Sequence, residues 1–261
     1  MVLDGEGLST EDMLRVTRWL NLSETTFLLP PTTDAADYRV RIFTLARELP
    51  FAGHPTLGSC HAWLTAGGTP RRSDAIVQEC LAGLIPIRRD ADRLAFAAPP
   101  LLRSGSVDGE LVAHLASVLR IRRDRIVEAQ WVDNGPGWVG ILLKDAATVL
   151  AIEPDFSRHS GPASLDIGLV GPYPRGSDCA FEVRAVFSDE QGGMREDPVT
   201  GSLNASLAQW LLATGRATAP YVASQGARLG RAGRVHIAQD TDGTVWVGGK
   251  AVTCVRGEIE I

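Results

Sequence analysis

The spacing of apolar residues along the chain follows two different periods. Where apolar residues recur every three or four positions, the pattern predicts helices over residues 10–20, 55–65, 109–119 and 203–214. Where they cluster in short runs between turn residues, it predicts strands over residues 25–29, 38–44, 77–80, 84–88, 94–97, 127–132, 138–143, 178–187, 234–239, 245–248 and 252–261. Strands and helices therefore interleave along the chain without a single repeating strand–helix unit.

A double proline, Pro99-Pro100, follows the first group of predicted strands. Proline can neither donate to a sheet ladder nor continue a helix, so this dipeptide is the best candidate for a linker. It divides the chain into an N-terminal lobe of residues 1–100 and a C-terminal lobe of residues 101–261, whose last strand is expected to return to the first lobe. The economical fold class is α+β, with two pseudo-symmetric lobes that each wrap a curved, mostly antiparallel sheet around a central helix.

Both lobes carry the same short motif immediately before a predicted central helix. ELPFAG at 48–53 recurs as EDPVTG at 196–201, so that Glu, Pro and Gly return in the same order and spacing. A turn of this kind exposes a helix N-terminus, whose free N–H groups and positive dipole end favour a carboxylate or an oxyanion. Two such ends facing each other across a pseudo-twofold axis would clamp one small anion. Two ordinary capped core helices are the alternative interpretation.

Composition and charge argue against several classes of partner. The 26 basic and 31 acidic residues give a net charge of −5, and the arginines are scattered, so we expect no nucleic-acid partner. No apolar run reaches the roughly 20 residues that cross a bilayer, so we expect no membrane association. The four cysteines show no metal-ligand spacing, and no basic and apolar leader precedes the first helix. These features favour a reducing, cytoplasmic compartment.

Several further motifs occur in order along the chain. They are NLSETTF at 21–27, RIFT at 41–44, ELPFAGHPTLG at 48–58, EDPVTGS at 196–202, SQG at 224–226, LGR at 229–231 and VGG at 247–249. Together they resemble the signatures of the PhzF family, the phenazine biosynthesis-like isomerases with the diaminopimelate epimerase fold. The match is highly specific for the family and much less specific for the substrate.

The resemblance implies a two-lobed enzyme, usually a homodimer, that needs no metal or organic cofactor. Its reaction would shift a proton within a small cyclic or amino-substituted carboxylic acid such as trans-2,3-dihydro-3-hydroxyanthranilate. Carried over by motif, the family's acid/base carboxylate, second carboxylate and two assisting residues fall on Glu24, Asp197, His54 and Ser202. The substrate carboxylate would meet backbone N–H groups at Gly53 and Gly201.

These residue types suit the implied chemistry. A proton that moves between carbons requires a base that can take it and return it, and a carboxyl group in a closed, largely apolar pocket can do both. Glu24 stands between Leu22 and Phe27 at the mouth of a predicted strand, which fits that role. Glu48 is a rival base, but its recurrence as Glu196 indicates a structural pair.

The sequence leaves two alternatives to an isomerase that shifts a proton between carbons. Racemases of the related epimerase groups place a cysteine just before the glycine at each helix entrance, whereas this chain has Ala52 and Thr200 there, which disfavours two-thiol racemisation. Relatives also begin further upstream with an additional first strand, which we expect this N-terminal lobe to lack. Its loss would leave a sheet edge unpaired and one pocket wall open. A non-catalytic, dimeric metabolite-binding protein that keeps the family shell is therefore the second alternative.

Overall fold

The structure is a computed structural model that describes residues 1–90, 92–159, 165–188 and 193–260. Its α-helices are α1 (Thr10–Leu20), α2 (Gly53–Thr65), α3 (Gly109–Val118), α4 (Ala146–Ala151) and α5 (Gly201–Ala213). Three short 3-10 helices cover Arg123–Arg125, Phe156–Arg158 and Ala227–Leu229. Among the described residues, no helix has both the length and the apolar character that a bilayer crossing requires.

Fifteen strands complete the secondary structure of the described residues. They are β1 (Thr25–Leu29), β2 (Tyr38–Phe43), β3 (Glu48–Leu49), β4 (Ile76–Cys80), β5 (Gly83–Asp90), β6 (Arg93–Ala97), β7 (Arg103–Ser106), β8 (Ile126–Asp133), β9 (Val139–Leu143), β10 (Asp166–Pro172), β11 (Phe181–Ser188), β12 (Met194–Asp197), β13 (Tyr221–Gln225), β14 (Gly233–Gln239) and β15 (Val245–Gly249).

The chain divides into two compact units. Unit 1 comprises Met1–Ala97 together with Gly248–Ile261, and unit 2 comprises the intervening Ala98–Val247. Unit 1 is therefore discontinuous in sequence, whereas unit 2 is a single continuous segment.

Unit 1 is built on a sheet with the strand order β1-β2-β4-β5-β6, in which the two-residue strand β3 also pairs with β2. Strands β2 and β4 run parallel, and the other neighbours are antiparallel. Helix α2 packs against β1 and β6. The N-terminal segment extends along β1, because the Val2 N–H donates to the Thr26 carbonyl at 2.7 Å and the Leu28 N–H donates to the Val2 carbonyl at 2.9 Å.

Unit 2 has the strand order β14-β13-β11-β10-β9-β8-β7, and β12 pairs with β11. The pairs β9/β10 and β11/β13 are parallel, and the remaining pairs are antiparallel. Helix α5 contacts β8, β10 and β14. It lies so close to β10 that a Cβ at Gly168 would come within 2.2 Å of a Leu203 methyl group, which explains a glycine in a buried strand.

Several expectations from the sequence change in the structure. The two central helices begin two residues earlier than predicted, at Gly53 and Gly201, so each motif glycine is the first helical residue. The strand predicted from residue 178 begins at Phe181. The prediction of a strand over 252–261 is wrong for residues 252–260, where Val252 and Val255 are exposed and no ladder forms; residue 261 lies outside the described residues.

Candidate active site

The two copies of the repeated motif fold in the same way. In each copy the Glu begins or lies within a short strand, β3 or β12, that pairs antiparallel with β2 or β11. The Pro ends that strand, and a 13-residue helix starts at the Gly. Because the spacing is the same, His54 and Ser202 occupy the same position, the second residue of the helix.

Both helix N-termini are left open by their own caps. The N-cap residues, Ala52 and Thr200, have extended backbones and make no side-chain hydrogen bond to the helix. An N-cap side chain normally accepts one of the first free N–H groups, so without it these donors stay available to another acceptor. The dipole adds a partial positive charge at the same place. Each end is thus suited to an anionic group of a ligand.

In unit 1 the open helix end carries a contact between a carboxylate and an imidazole. Glu24, just before β1, places Oε2 3.0 Å from Nε2 of His54, although the two atoms lack hydrogen-bond alignment. That oxygen is shielded from solvent, and the whole Glu24 side chain is 19% exposed against 40% for His54. The pair therefore combines a partly desolvated carboxylate with an accessible imidazole that can exchange protons.

In unit 2 the open helix end carries a hydroxyl group that is held by an indole. The Trp138 Nε1–H donates to Oγ of Ser202 at 3.1 Å, and both side chains are buried. Since an indole nitrogen can only donate, Ser202 must accept in this bond, and its own O–H is left to donate elsewhere. Trp138 thus orients Ser202 as a hydrogen-bond donor.

Asp197 is fixed by the residues that enter α5. The Thr200 hydroxyl donates to Oδ2 of Asp197 at 2.5 Å. Gln225 on β13 binds this turn through its side-chain amide. The NH₂ group donates to the Asp197 carbonyl and to Oγ1 of Thr200. The Oε1 atom accepts from the Thr200 N–H and from the Asn204 side chain. Gln225 is fully buried, so these four bonds use its whole donor and acceptor capacity.

A glycine after Gln225 lets β13 approach the motif turn. Gly226 has φ +90°, and a Cβ there would lie 2.6 Å from the Pro198 carbonyl oxygen. Neither the backbone conformation nor the available space admits another residue without strain. The SQG motif at 224–226 therefore supports the Asp197 turn.

The repeated glutamates form ion pairs with arginines. Glu48 accepts two hydrogen bonds from Arg41, at 2.8 and 2.6 Å, and Glu196 accepts two from Arg184, at 3.0 and 2.8 Å. Both arginines lie on the strand that pairs with the motif, at matching register positions. Each pair therefore fastens the motif strand to its neighbour, which gives these glutamates a structural role.

Thiol chemistry is disfavoured by the positions of the cysteines. The helix entrances have Ala52 and Thr200, and the Thr200 hydroxyl is occupied by Asp197. Cys60 lies two turns into α2 and is fully buried, and burial raises the pKa of its thiol to about 12. A thiol of this kind stays protonated near neutral pH and cannot act as a base. Across the described residues, His, Cys, Asp and Glu side chains form no group of three or more that could hold a metal ion.

The predicted site residues group by unit. Within unit 1 the structure brings Glu24, Gly53 and His54 together, and within unit 2 it brings Asp197, Gly201 and Ser202 to the entrance of α5. Sequence reasoning missed the supporting residues of unit 2, which are Asn134, Trp138, Thr200, Asn204 and Gln225. The DNGPG turn at 133–137 and the SQG motif were the available signals.

Comparison with known proteins agrees with these features. A family model described as "Phenazine biosynthesis-like protein" matches residues 1–257. Trans-2,3-dihydro-3-hydroxyanthranilate isomerase of Pseudomonas aeruginosa is 32% identical over 211 residues, which cover 78% of this chain and 70% of that protein. Antisense-enhancing sequence 1 of Schizosaccharomyces pombe is 32% identical over 270 residues, covering 98% of this chain and 90% of that protein.

A solved structure extends the similarity to the fold. The crystal structure of the Bacillus anthracis phenazine biosynthesis protein, PhzF family, aligns with a TM-score of 0.78 over 100% of this chain and 92% of that one, at 21% identity. The α+β class predicted from the sequence is confirmed, and so is the isomerase class. The chain belongs to the phenazine biosynthesis-like family.

Proposed function

We propose that this chain is a cofactor-independent isomerase that shifts a proton between two carbons of a small cyclic, unsaturated or amino-substituted carboxylic acid. The observation that carries the proposal is the contact between Glu24 and His54 at the open end of α2. A carboxylate with one shielded oxygen next to an exchangeable imidazole is suited to take a proton and return it. The named isomerase of Pseudomonas aeruginosa supports a substrate similar to trans-2,3-dihydro-3-hydroxyanthranilate.

The proposed reaction conserves all atoms. The Glu24 carboxylate takes a proton from one ring carbon, the electron pair of that C–H bond shifts into the ring system, and the protonated Glu24 returns the proton to a second carbon. One C–H bond breaks, one forms, and the double bond changes position. His54 orients the Glu24 carboxylate through their contact.

The family resemblance also assigns the reaction two polar residues of unit 2. Ser202, with its O–H left to donate, binds an oxygen of the substrate, and Asp197 accepts a hydrogen bond from an amino or hydroxyl substituent. The backbone N–H groups at Gly53 and at Gly201 are each suited to a substrate carboxylate, as expected for open helix ends. The assembled protein would act as a homodimer, by analogy with the family.

The proposal is tested by deuterium uptake at carbon, measured by mass spectrometry after incubation in heavy water with trans-2,3-dihydro-3-hydroxyanthranilate. We expect exchange in the unmodified chain and a loss of about 10²- to 10⁴-fold in Glu24→Gln, which removes the acid/base group. Glu48→Gln is the matched control, because Glu48 is engaged with Arg41 and should leave exchange within a few-fold of the unmodified rate.

Two outcomes contradict the proposal. Undiminished exchange in Glu24→Gln would remove Glu24 from the proton transfer. Tight binding of the substrate without any exchange, unaffected by Glu24→Gln, would instead identify the metabolite-binding protein that the sequence left as an alternative.

A further inference from the structure

Asn134 lies in the turn between β8 and β9 and contacts Ser202, although it belongs to none of the motifs that suggested the site. Its side-chain NH₂ donates to the carbonyl of Ser202 at 3.0 Å. The turn that carries it is well defined, since Oδ1 of Asp133 accepts the N–H groups of Gly135 and Gly137 at 2.7 and 2.8 Å. Asn134 is thus held against the first turn of α5.

The orientation of the Asn134 amide follows from its partner. A backbone carbonyl only accepts hydrogen bonds, so the NH₂ of Asn134 must face Ser202 and the Oδ1 atom must face away. That Oδ1 atom is shielded from solvent and has no hydrogen-bond partner among the described residues. A buried acceptor without a donor is costly and uncommon in folded proteins, which calls for a group that completes it.

Among the described residues, the hydrogen bonds around Ser202 do not reach this oxygen. The indole N–H of Trp138 donates to the Ser202 hydroxyl, and the Ser206 hydroxyl donates to the Ser202 carbonyl at 2.9 Å. Ser202 thus accepts at both of its oxygens, while a neutral acceptor on Asn134 stays open beside it. At the Asn134 Oδ1 atom a ligand group that donates is therefore favoured, because a group that can only accept would leave this oxygen unpaired.

We propose that Asn134 is a specificity-determining residue, and that its Oδ1 accepts a hydrogen bond from an amino or hydroxyl substituent of the substrate. The inference rests on the proposed function, since it places a substrate at the entrance of α5. It narrows the substrate class to carboxylic acids that also carry a hydrogen-bond donor on the ring.

The test uses unreactive aromatic analogues, so that binding is measured without turnover. Calorimetric titrations compare 3-hydroxyanthranilate with 3-hydroxybenzoate, which lacks the amino group, and with anthranilate, which lacks the ring hydroxyl. In the unmodified chain we expect 3-hydroxyanthranilate to bind at least about 10-fold more tightly than one of the two analogues that lack a substituent. A single hydrogen bond in a site shielded from solvent contributes an affinity difference of this size.

In Asn134→Ala that preference should disappear, while the affinity for the analogue that lacks the substituent should stay within about 2-fold. The substituent whose preference disappears is the group that Asn134 recognises. Asp133→Ala is the matched control, because it loosens the same turn without removing the acceptor and should retain the preference.

Each other outcome has a defined meaning. An unchanged preference in Asn134→Ala overturns the inference, and so does the loss of the preference in Asp133→Ala, which would make the turn and not the oxygen responsible. Failure of every analogue to bind the unmodified chain also overturns it. If the preference behaves as expected but no proton exchange is found, the proposed function fails while the inference about Asn134 stands.

Discussion

The two copies of the repeated motif share a backbone but differ in how firmly they are held. The Arg41–Glu48 pair in unit 1 leaves its side chains 23% and 17% exposed, whereas the Arg184–Glu196 pair in unit 2 leaves only 3% and 8%. Arg184 also donates to the carbonyls of Val149 and Ile152, at the end of α4. The same arginine–glutamate pair is thus partly exposed in one copy and buried in the other.

The helices that follow the two motif copies, α2 and α5, differ in burial in the same direction. Ten of the 13 residues of α5 are buried, against six of 13 in α2. The equivalent helix positions carry Ser202, which a buried indole holds in place, and His54, which meets a carboxylate near solvent. Under the proposed function, the more exposed copy would hold the group that gains and loses protons, and the more buried copy would hold fixed hydrogen-bond donors and acceptors.

The largest expected loss of stability comes from removing one charge of the buried Arg184–Glu196 pair. Glu196→Gln leaves the Arg184 charge buried without its counter-ion, which we expect to cost about 3–5 kcal/mol of unfolding free energy. The equivalent change in unit 1, Glu48→Gln, should cost about 1 kcal/mol or less, because solvent screens that pair. Urea denaturation followed by tryptophan fluorescence measures both.

A double variant sharpens this comparison. Arg184→Met combined with Glu196→Leu removes both charges, so it should recover much of the stability lost in Glu196→Gln. Equal losses for Glu48→Gln and Glu196→Gln would show that burial does not distinguish the two copies.

An intermediate effect is expected at the glycine that supports the second copy. Gly226→Ala combines a positive φ with a Cβ only 2.6 Å from the Pro198 carbonyl, so it should lower the unfolding free energy by about 2–4 kcal/mol. Gly243 has nearly the same φ, +91°, but open space around its Cβ position, so Gly243→Ala should cost only the backbone strain of about 1–2 kcal/mol. Thermal unfolding of the two variants checks the order, and identical losses would rule out a contribution from the Pro198 contact.

The smallest effect concerns the orientation of Ser202. Trp138→Phe keeps most of the ring but removes the N–H that Ser202 accepts, which should reduce proton exchange roughly 5-fold, corresponding to about 1 kcal/mol. Trp210 provides the matched control, because it is buried in the same unit and its Nε1–H has no partner among the described residues. Exchange that falls equally in Trp210→Phe would attribute the loss to packing and not to the hydrogen bond.

The fold was predictable where sequence periodicity and secondary structure coincide. Helix α1 and strand β1 have the predicted limits, since Ser9 and Asp12 form a capping box and the strand is bounded by turn residues. Strand β10 was missed because it is buried along most of its length and contains two glycines, Gly168 and Gly171, so it shows neither alternation nor strong strand propensity.

The site was predictable only in part, for a related reason. The motif resemblance named Glu24, His54, Asp197 and Ser202, because these lie in or next to conspicuous local sequences. Trp138 and Asn134 are 64 and 68 residues away from Ser202 along the chain, and the strands between them fix their proximity. The DNGPG turn marks Asn134 as a turn residue, but no local pattern encodes the contacts of Asn134 and Trp138 with Ser202, so these emerge only from the three-dimensional arrangement.

The discontinuity of unit 1 also affects how the chain is made. Its second segment, Gly248–Ile261, leaves the ribosome after unit 2 and contributes contacts such as the bond between Lys250 and Asp92 and that between His61 and Thr253. Unit 2 is continuous, so all of its residues have been synthesised before that second segment emerges. Synthesis of unit 1, which carries Glu24 and His54, therefore begins before that of unit 2 but is completed after it.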